Sequence, residues 1–255
     1  MFQFINHWLN RRIIKRSTIP AEEWQEAFAS LPLLEGLSVE EQRRLQELAI
    51  LFMHHKVFEG AHGLVVTRSM GLFISLQACL PILNLGLEGY DGWVSVIVYP
   101  AGFAPDRVIT DEYGVVHQVQ SNLSGESWQR GPVILAWNET ETAGVIDGHN
   151  LVIHEFAHKL DMQNGVANGF PPLHAGMHVN EWVKAFTAGF EHFQHQCKTG
   201  NPHGMDCYAA SSPAEFFAVL SEIFFECPAL LKKHYADIYE QLRQYYRQDP
   251  LTRLS

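Results

Sequence analysis

The sequence predicts an α+β fold with a small mixed sheet, because helical patterns occupy both ends of the chain and a few strand-like segments lie between them. Ser38-Val39-Glu40-Glu41 has the form of a capping box and predicts a helix through about His55. The strand-like segments are residues 93–99, 114–119 and 132–137. Later helices are predicted over about residues 150–165, 180–196 and 213–226.

Length and composition indicate a chain that folds around a sizeable core. Of its 255 residues, 47% are hydrophobic and only 18% are charged, which excludes a disordered chain. We expect residues 1–17 to form a mobile tail, because chain termini are often loose. Residues 18–255 are expected to form a single domain, which this length allows.

Charge and cysteine usage exclude several classes of protein. The net charge of −10 argues against direct binding of nucleic acid, which needs clustered cations. The most apolar stretch, residues 70–87, is interrupted by polar residues and a proline, so no membrane span is expected. The four cysteines form no C-x-x-C pair, and the N-terminal cations follow the apolar residues instead of preceding them. A zinc-cysteine knuckle and a secretory signal are therefore not indicated, and we expect a reduced, cytoplasmic location.

The motif that carries the most chemical information is His154-Glu155-Phe156-Ala157-His158. A helix advances about 100° per residue, so residues four apart share a face and both imidazoles can bind one metal ion. Glu155 points to a neighbouring side, where it can reach a water molecule beside the metal. This is the H-E-x-x-H arrangement of zinc peptidases. It predicts one zinc ion per chain, with His154 and His158 as ligands and Glu155 as the general base.

A catalytic zinc site usually has a third protein ligand. The extended pattern H-E-x-x-H-x-x-G-x-x-H does not apply, because Asp161 and Asn164 stand where it needs glycine and histidine. Glu215 and Glu222 share one face of the predicted helix 213–226, where an unpaired acid is costly. Each also has a structural alternative: Glu215 as a capping residue, and Glu222 as a partner of a neighbouring backbone or basic group. The pattern favours Glu215 slightly and leaves both open.

Two further residues are candidates for supporting roles. Asp161 lies on the face of the two histidines and can accept a hydrogen bond from one of them, although a solvated carboxylate near a helix end is an equal alternative. Tyr208 precedes Glu215 by seven residues, and a tyrosine hydroxyl near a zinc site can donate to the oxyanion formed by attack on a carbonyl. On its own, Tyr208 is one of eight tyrosines with a partly buried ring.

These residues lie in segments that resemble a known family. Residues 154–161 and 208–219 look like the Mlc titration factor A family of bacterial zinc peptidases, and residues 81–88 and 125–132 also fit. The resemblance covers residues 24–251, which is nearly the whole chain.

The resemblance implies a zincin-like fold, similar to the catalytic domain of anthrax lethal factor. It implies His154, His158 and Glu215 as zinc ligands, which selects Glu215 over Glu222. It further implies Glu155 as base and Tyr208 as oxyanion donor. Members of the family are cytoplasmic, show aminopeptidase activity and bind the glucose-responsive repressor Mlc, so peptide hydrolysis and modulation of sugar-uptake genes are the implied functions.

Hydrolysis of peptide bonds with a water molecule activated by Glu155 is therefore the predicted activity. We expect the strand 132–137 to lie at the edge of the cleft and to pair with an extended substrate, because it directly precedes the motif helix. The alternative from another class is a protein that sequesters the repressor and keeps a residual or structural zinc site. A zinc amidohydrolase that acts on a non-peptide amide is a third option.

Overall fold

The computed structural model describes residues 2–101, 106–110, 116–120, 125–127 and 131–254. The α-helices are α1 (Phe2–Arg16), α2 (Ala21–Ala29), α3 (Val39–His55), α4 (Arg68–Cys79), α5 (Trp137–Thr140), α6 (Leu151–Asp161), α7 (Val179–Lys198), α8 (Pro213–Glu226), α9 (Pro228–His234), α10 (Ala236–Tyr246) and α11 (Pro250–Arg253). The strands are β1 (Val57–Gly60), β2 (Ser95–Tyr99), β3 (Asp106–Thr110), β4 (Val116–Gln120), β5 (Gly125–Ser127) and β6 (Val133–Ala136). The predicted α+β class is confirmed.

Local sequence signals account for the ends of several helices. Ser38 Oγ accepts a hydrogen bond from the backbone N–H of Glu41 at 3.3 Å, and the Glu41 carboxylate accepts one from the Ser38 N–H at 2.8 Å. This capping box starts α3, which ends at His55 as predicted. Helix α8 likewise covers the predicted residues, with Ser212 Oγ capping the N–H of Glu215 at 3.2 Å.

The main sheet is mixed, as predicted, with the strand order β1-β2-β6-β5. Strands β1, β2 and β6 are parallel, and β5 pairs antiparallel with β6. Strands β3 and β4 form a separate antiparallel pair. Of the strand predicted over residues 114–119, residues 116–119 lie in β4, and 114 and 115 lie outside the described residues.

The prediction that the strand 132–137 pairs with an extended substrate is wrong. Strand β6 pairs with β2 on one side and with β5 on the other, so its backbone is already paired along both edges. Its four residues are buried, which is typical of an interior strand. Strand β5 lies next to β6 and, in the part of the chain that the structure describes, pairs on one side only.

An aromatic cluster packs against Phe156, on the face of α6 opposite the two motif histidines. The ring of Phe156 lies 5.1 Å from that of Tyr90, 5.5 Å from that of Phe52 and 5.7 Å from that of Trp93, measured between centroids. Edge-to-face contacts at such distances add to the free energy gained by burying the rings. Because Phe156 faces away from the two motif histidines, the cluster turns the histidines toward α8.

The N-terminal segment forms helix α1, for which the sequence predicted a mobile tail. Ile13 and Ile14 are partly buried and pack against the core. The mobility of residues 1–17, and the assignment of residues 18–255 to a single domain, stay predictions. In the described residues, no helix has both the length and the apolar character needed to cross a bilayer.

A disulfide joins Cys197 at the end of α7 to Cys207, the first residue of a 3₁₀ turn over Cys207–Ala210. The two cysteines are ten residues apart and match no recognised pattern, so their spacing did not predict this pair, which differs from the reduced state expected for the cysteines. Cys79 and Cys227 are free thiols.

A buried lysine, Lys56, contacts two members of the aromatic cluster, Tyr90 and Trp93. Lys56 is 7% exposed, and its Nζ donates to the backbone oxygens of Tyr90 and Trp93 at 2.5 and 2.7 Å. The ammonium also lies 3.7 Å from the centroid of the Trp93 ring. Burial lowers the pKa of Lys56 to about 8 from its ordinary value of 10.5, while the charge of Asp91 opposes the shift.

Because the pKa of Lys56 is lowered, the free energy of unfolding is expected to change with pH in the alkaline range. Between pH 8 and 10.5, the unfolded chain keeps the proton on this lysine and the folded protein releases it. Lys56 therefore contributes a rise of the free energy of unfolding with pH in this window, by up to about 1.4 kcal/mol per pH unit. Lys159, whose pKa burial also lowers to about 8, contributes a second rise. We expect Lys56→Met to lose the share of this rise that belongs to Lys56 in denaturant titrations, and the exposed Lys233→Met to match the wild type. Parallel curves for the wild type and Lys56→Met contradict the assignment.

Candidate metal centre

Helix α6 presents the two motif histidines side by side. It starts after Asn150, whose side chain caps the N–H of Ile153 at 2.9 Å. After Asp161 the chain makes a 3₁₀ turn and stops at Gly165, which has a φ of +145°, a value that favours glycine. The rings of His154 and His158 lie 4.8 Å apart between centroids. Their Nε2 atoms are 3.2 Å apart, so both point toward the same place.

Helix α8 brings Glu215 to these two nitrogens. Its Oε2 lies 3.0 Å from Nε2 of His154 and 3.3 Å from Nε2 of His158. The ligand atoms of the three residues all lie within 4.8 Å of one another. In the described part of the chain, these three residues form the one group of His, Cys, Asp and Glu side chains that could hold a metal ion. Two imidazoles and a carboxylate are donors that suit a divalent transition metal.

Glu222 contacts the other side of the same imidazole. Its Oε1 lies 2.7 Å from Nδ1 of His154, and its Oε2 accepts the backbone N–H of Asn150 at 2.5 Å. A carboxylate on Nδ1 favours the tautomer with the proton on that atom and leaves Nε2 as a lone-pair donor. Of the two glutamates that the sequence left open, the structure therefore brings Glu215 to the Nε2 cluster and places Glu222 behind His154.

Glu155 lies buried beside the cluster and is 3% exposed. Burial raises the pKa of Glu155, while the neighbouring His154 and His158 lower it, and the net shift is upward. Its Oε2 has no hydrogen-bond partner among the residues that the structure describes. A carboxylate with a raised pKa and a free oxygen has the properties of a general base.

Tyr208 stands at the open side of the cluster. Its ring lies 6.3 Å from the His154 ring between centroids and is about half exposed. Burial of the other half, with the charges of Glu215 and Glu155, raises the pKa of Tyr208 to about 12. The turn that carries it is fixed by Asp206, whose carboxylate accepts the Tyr208 N–H at 2.9 Å.

Asp161 does not contact either motif histidine, and this part of the prediction is wrong. Its carboxylate accepts the backbone N–H groups of residues 168, 169 and 170 at 2.7–2.9 Å. The alternative of a solvated carboxylate is wrong too, because the residue is fully buried. Burial raises the pKa of Asp161 although the three N–H donors oppose it. Asp161 thus ties the loop after α6 to the end of that helix.

The charged groups of the cluster shift one another's pKa values. Burial lowers the pKa of His154, but the carboxylates of Glu222, Glu215 and Glu155 outweigh it and raise the pKa well above the ordinary value. Burial of Glu215 acts to raise its pKa, but its contacts with His154 and His158 lower it strongly overall. The negative charge concentrated here favours any bound cation.

Sequence reasoning missed Asn150 and the disulfide at Cys207. Asn150 is fully buried in front of α6, and only its place before the apolar run signalled a cap. Outside the cluster, His192 contacts the Tyr235 hydroxyl at 3.1 Å, in keeping with a polar helix face. In the segment 125–132 that fits the resemblance, residues 128–130 lie outside the described residues.

Comparison with known proteins matches this geometry to a family. A family model described as glucose-regulated metallo-peptidase M90 matches residues 5–247. Mlc titration factor A of Yersinia pestis (strain Pestoides F) is 41% identical to this chain over 235 residues, which cover 91% of this chain and 86% of that protein. Mlc titration factor A of Yersinia pseudotuberculosis serotype O:3 (strain YPIII) gives the same values. The resemblance indicated by the motifs is confirmed: the chain belongs to the glucose-regulated metallo-peptidase M90 family.

Proposed function

We propose that this protein is a zincin-like, zinc-dependent aminopeptidase that hydrolyses peptide bonds. The observation that carries the proposal is the convergence of His154, His158 and Glu215 next to the buried Glu155. One helix supplies two ligands and the base, and a second helix supplies the third ligand. This division of labour leaves one side of the cluster, beside Tyr208, accessible to a substrate.

The distances within the cluster support zinc as the metal. Bonds of about 2.0–2.1 Å to nitrogen and oxygen place neighbouring ligand atoms of a tetrahedral zinc site about 3.3 Å apart. The corresponding separations here are 3.0, 3.2 and 3.3 Å. Three protein ligands leave one position open, which is typical of a catalytic site and differs from the four ligands of a structural one.

The residues of the chain then divide the reaction between them. A zinc ion at this site would polarise the scissile carbonyl and lower the pKa of water. Glu155 accepts a proton from the attacking water and passes it to the leaving amine, a role that its raised pKa favours. Tyr208, with a pKa of about 12, keeps its proton at neutral pH and donates a hydrogen bond to the oxyanion.

Strand β5 is the proposed partner of an extended substrate, in place of β6. It lies beside β6 and contacts α6, and among the described residues it pairs only with β6. A peptide added along its outer edge gains main-chain hydrogen bonds and runs next to the motif helix.

We further propose that the protein binds the repressor Mlc and thereby modulates the expression of sugar-uptake genes. The relatives named Mlc titration factor A support this. A cytoplasmic location follows from the same proposal. The same name also supports the alternative, a protein that sequesters the repressor and whose zinc site is residual or structural.

The metal site makes the first prediction. We expect one zinc ion per chain by metal analysis after dialysis, and loss of most of it in Glu215→Ala, since a site with two ligands holds zinc far more weakly. His192→Ala serves as the matched control, because this histidine contacts Tyr235 and lies outside the cluster. Unchanged zinc content in Glu215→Ala contradicts the assignment of the third ligand.

Glu155→Gln separates the enzyme from its alternative. The amide keeps the shape of the side chain but cannot accept the proton, so we expect zinc content to stay and peptidase activity to fall by about 10²–10⁴-fold. Cleavage of a peptide library by wild type and variant is the measurement. Normal cleavage by the variant excludes the mechanism. Repressor binding that survives in the variant shows that the two functions are separable.

Tyr208→Phe tests the oxyanion donor. We expect kcat to fall by about 10²–10³-fold, because the oxyanion loses a donor. Little change in zinc content is expected, because Tyr208 is not one of the three candidate ligands. Tyr235→Phe is the control, since that hydroxyl contacts His192 and not the cluster. A loss confined to KM, with kcat preserved, speaks against this role.

A further inference from the structure

Asn150 is a fully buried polar residue with more contacts than a helix cap requires. Its Oδ1 caps α6 by accepting the N–H of Ile153, which also identifies the other end of the amide as the NH₂ group. That NH₂ group lies 2.8 Å from Oε1 of Gln77, 2.8 Å from the backbone oxygen of Ala143 and 2.9 Å from Oε1 of Glu226. Asn150 thus ties α4, the segment before α6, and α8 together.

Capping alone does not account for these contacts. A serine or aspartate caps a helix as well as asparagine does, with an oxygen alone. Burying an amide is costly unless its hydrogens are bonded, and here three acceptors surround two hydrogens. The buried NH₂ group therefore binds the acceptors around Asn150 and takes no part in capping the helix.

The backbone of Asn150 leads directly to the metal centre. Its N–H donates to Oε2 of Glu222 at 2.5 Å, and Oε1 of the same carboxylate lies 2.7 Å from Nδ1 of His154. The position of Asn150 thereby sets the position of the carboxylate that orients a candidate ligand.

Glu226, one helical turn after Glu222 on α8, binds the loop that precedes Asn150. Its Oε2 accepts the N–H of Gly148 at 3.0 Å, in addition to the contact of its Oε1 with the Asn150 amide. Gly148 has a φ of +89°, a conformation that other residues rarely adopt. Burial raises the pKa of Glu226 to about 8 although both donors oppose the shift, in keeping with a site closed to water. The loop before α6 is therefore clamped to α8 by two carboxylates four residues apart.

We propose that Asn150 is a positioning residue of the metal centre: its anchored amide fixes the backbone N–H that holds Glu222, and Glu222 holds His154 with Nδ1 protonated and Nε2 directed at the metal. The role rests on the proposed zinc site, since it concerns one of its ligands. Asn150 itself contributes no ligand atom to the cluster of His154, His158 and Glu215.

Asn150→Ser is the first test, because serine keeps a capping oxygen and the backbone N–H but loses the amide. We expect its zinc dissociation constant, measured by competition with a chromophoric chelator, to rise about tenfold, as for other losses of support behind a ligand histidine. Ser38→Ala is the control, since it removes a cap from α3 and leaves zinc affinity unchanged. Equal zinc affinity in the wild type and Asn150→Ser overturns the proposal.

A double-mutant cycle with Glu222→Gln tests the route of the effect. Glu222 accepts from Asn150 and faces His154 with two different oxygens, and glutamine has an NH₂ group in place of one of them, so one of the two contacts is lost. If Asn150 acts through Glu222, Asn150→Ser adds no further loss of zinc affinity in the Glu222→Gln background. Additive losses overturn the proposed route.

A readout without metal separates this role from the proposed function. In the metal-free Glu215→Ala protein at alkaline pH, where the Glu215 carboxylate no longer contacts Nε2 of His154, ¹⁵N shifts of the His154 ring should report the Nδ1–H tautomer when Asn150 is present and a mixture when Asn150→Ser is added. An unchanged tautomer overturns the proposal. If the wild type binds no zinc, the proposed function fails, and the tautomer alone decides the role of Asn150.

Gln77→Met covers the case in which Asn150→Ser does not fold. It removes one acceptor from the amide and leaves α6 and its cap intact. We expect a loss of zinc affinity and a shift of tautomer in the same direction as in Asn150→Ser but smaller, because two of the three acceptors of the amide remain. Wild-type behaviour on both measurements counts against the anchoring of Asn150.

Discussion

The contact between α6 and α8 is the constraint on which the rest of the structure depends. Glu215 and Glu222 are seven residues apart, which is close to two turns of helix, so both face α6. One contacts Nε2 of His154 and the other contacts Nδ1, so that the imidazole is held at both nitrogens by one neighbouring helix. Glu215 and Glu222 are tolerated on this largely apolar helix because each contacts His154.

The packing behind α6 keeps that contact in place. The residue between the two halves of the motif, Phe156, packs into the cluster of Phe52, Tyr90 and Trp93. A rotation of α6 about its axis would pull Phe156 out of this cluster and turn His154 away from Glu215. The aromatic face and the polar face of one helix are thus set by the same rotation, which couples core packing to the geometry of the site.

Local patterns predicted what is local in this protein. The capping box at Ser38, the extent of α8 and the shared face of His154 and His158 depend on neighbours along the chain. The different tasks of Glu215 and Glu222 depend on how two helices cross, which the seven-residue spacing does not encode. The resemblance supplied that choice.

The errors have the same origin. Asp161 has the helical phase to face a histidine, but a loop folds back and presents three N–H groups to it. Strand β6 precedes the motif helix as a cleft strand would, but the order of strands in the sheet places β5 outside it. The disulfide between Cys197 and Cys207 depends on where α7 ends in space. None of these contacts leaves a periodic signal in the sequence.

Glu155 and Tyr208, the two side chains to which the proposed reaction assigns proton transfer and oxyanion binding, differ in their burial. Glu155 is closed off, which raises its pKa and favours its action as a base, whereas Tyr208 is half exposed. The Tyr208 turn is held through its backbone by the Asp206 carboxylate, which accepts the Tyr208 N–H, so the turn is placed without full burial of the ring. A substrate that covers the ring would remove its remaining water, and a hydrogen bond from the phenol to a developing oxyanion is stronger in such surroundings. The accessible side of the cluster is therefore the side from which the proposed substrate must bind.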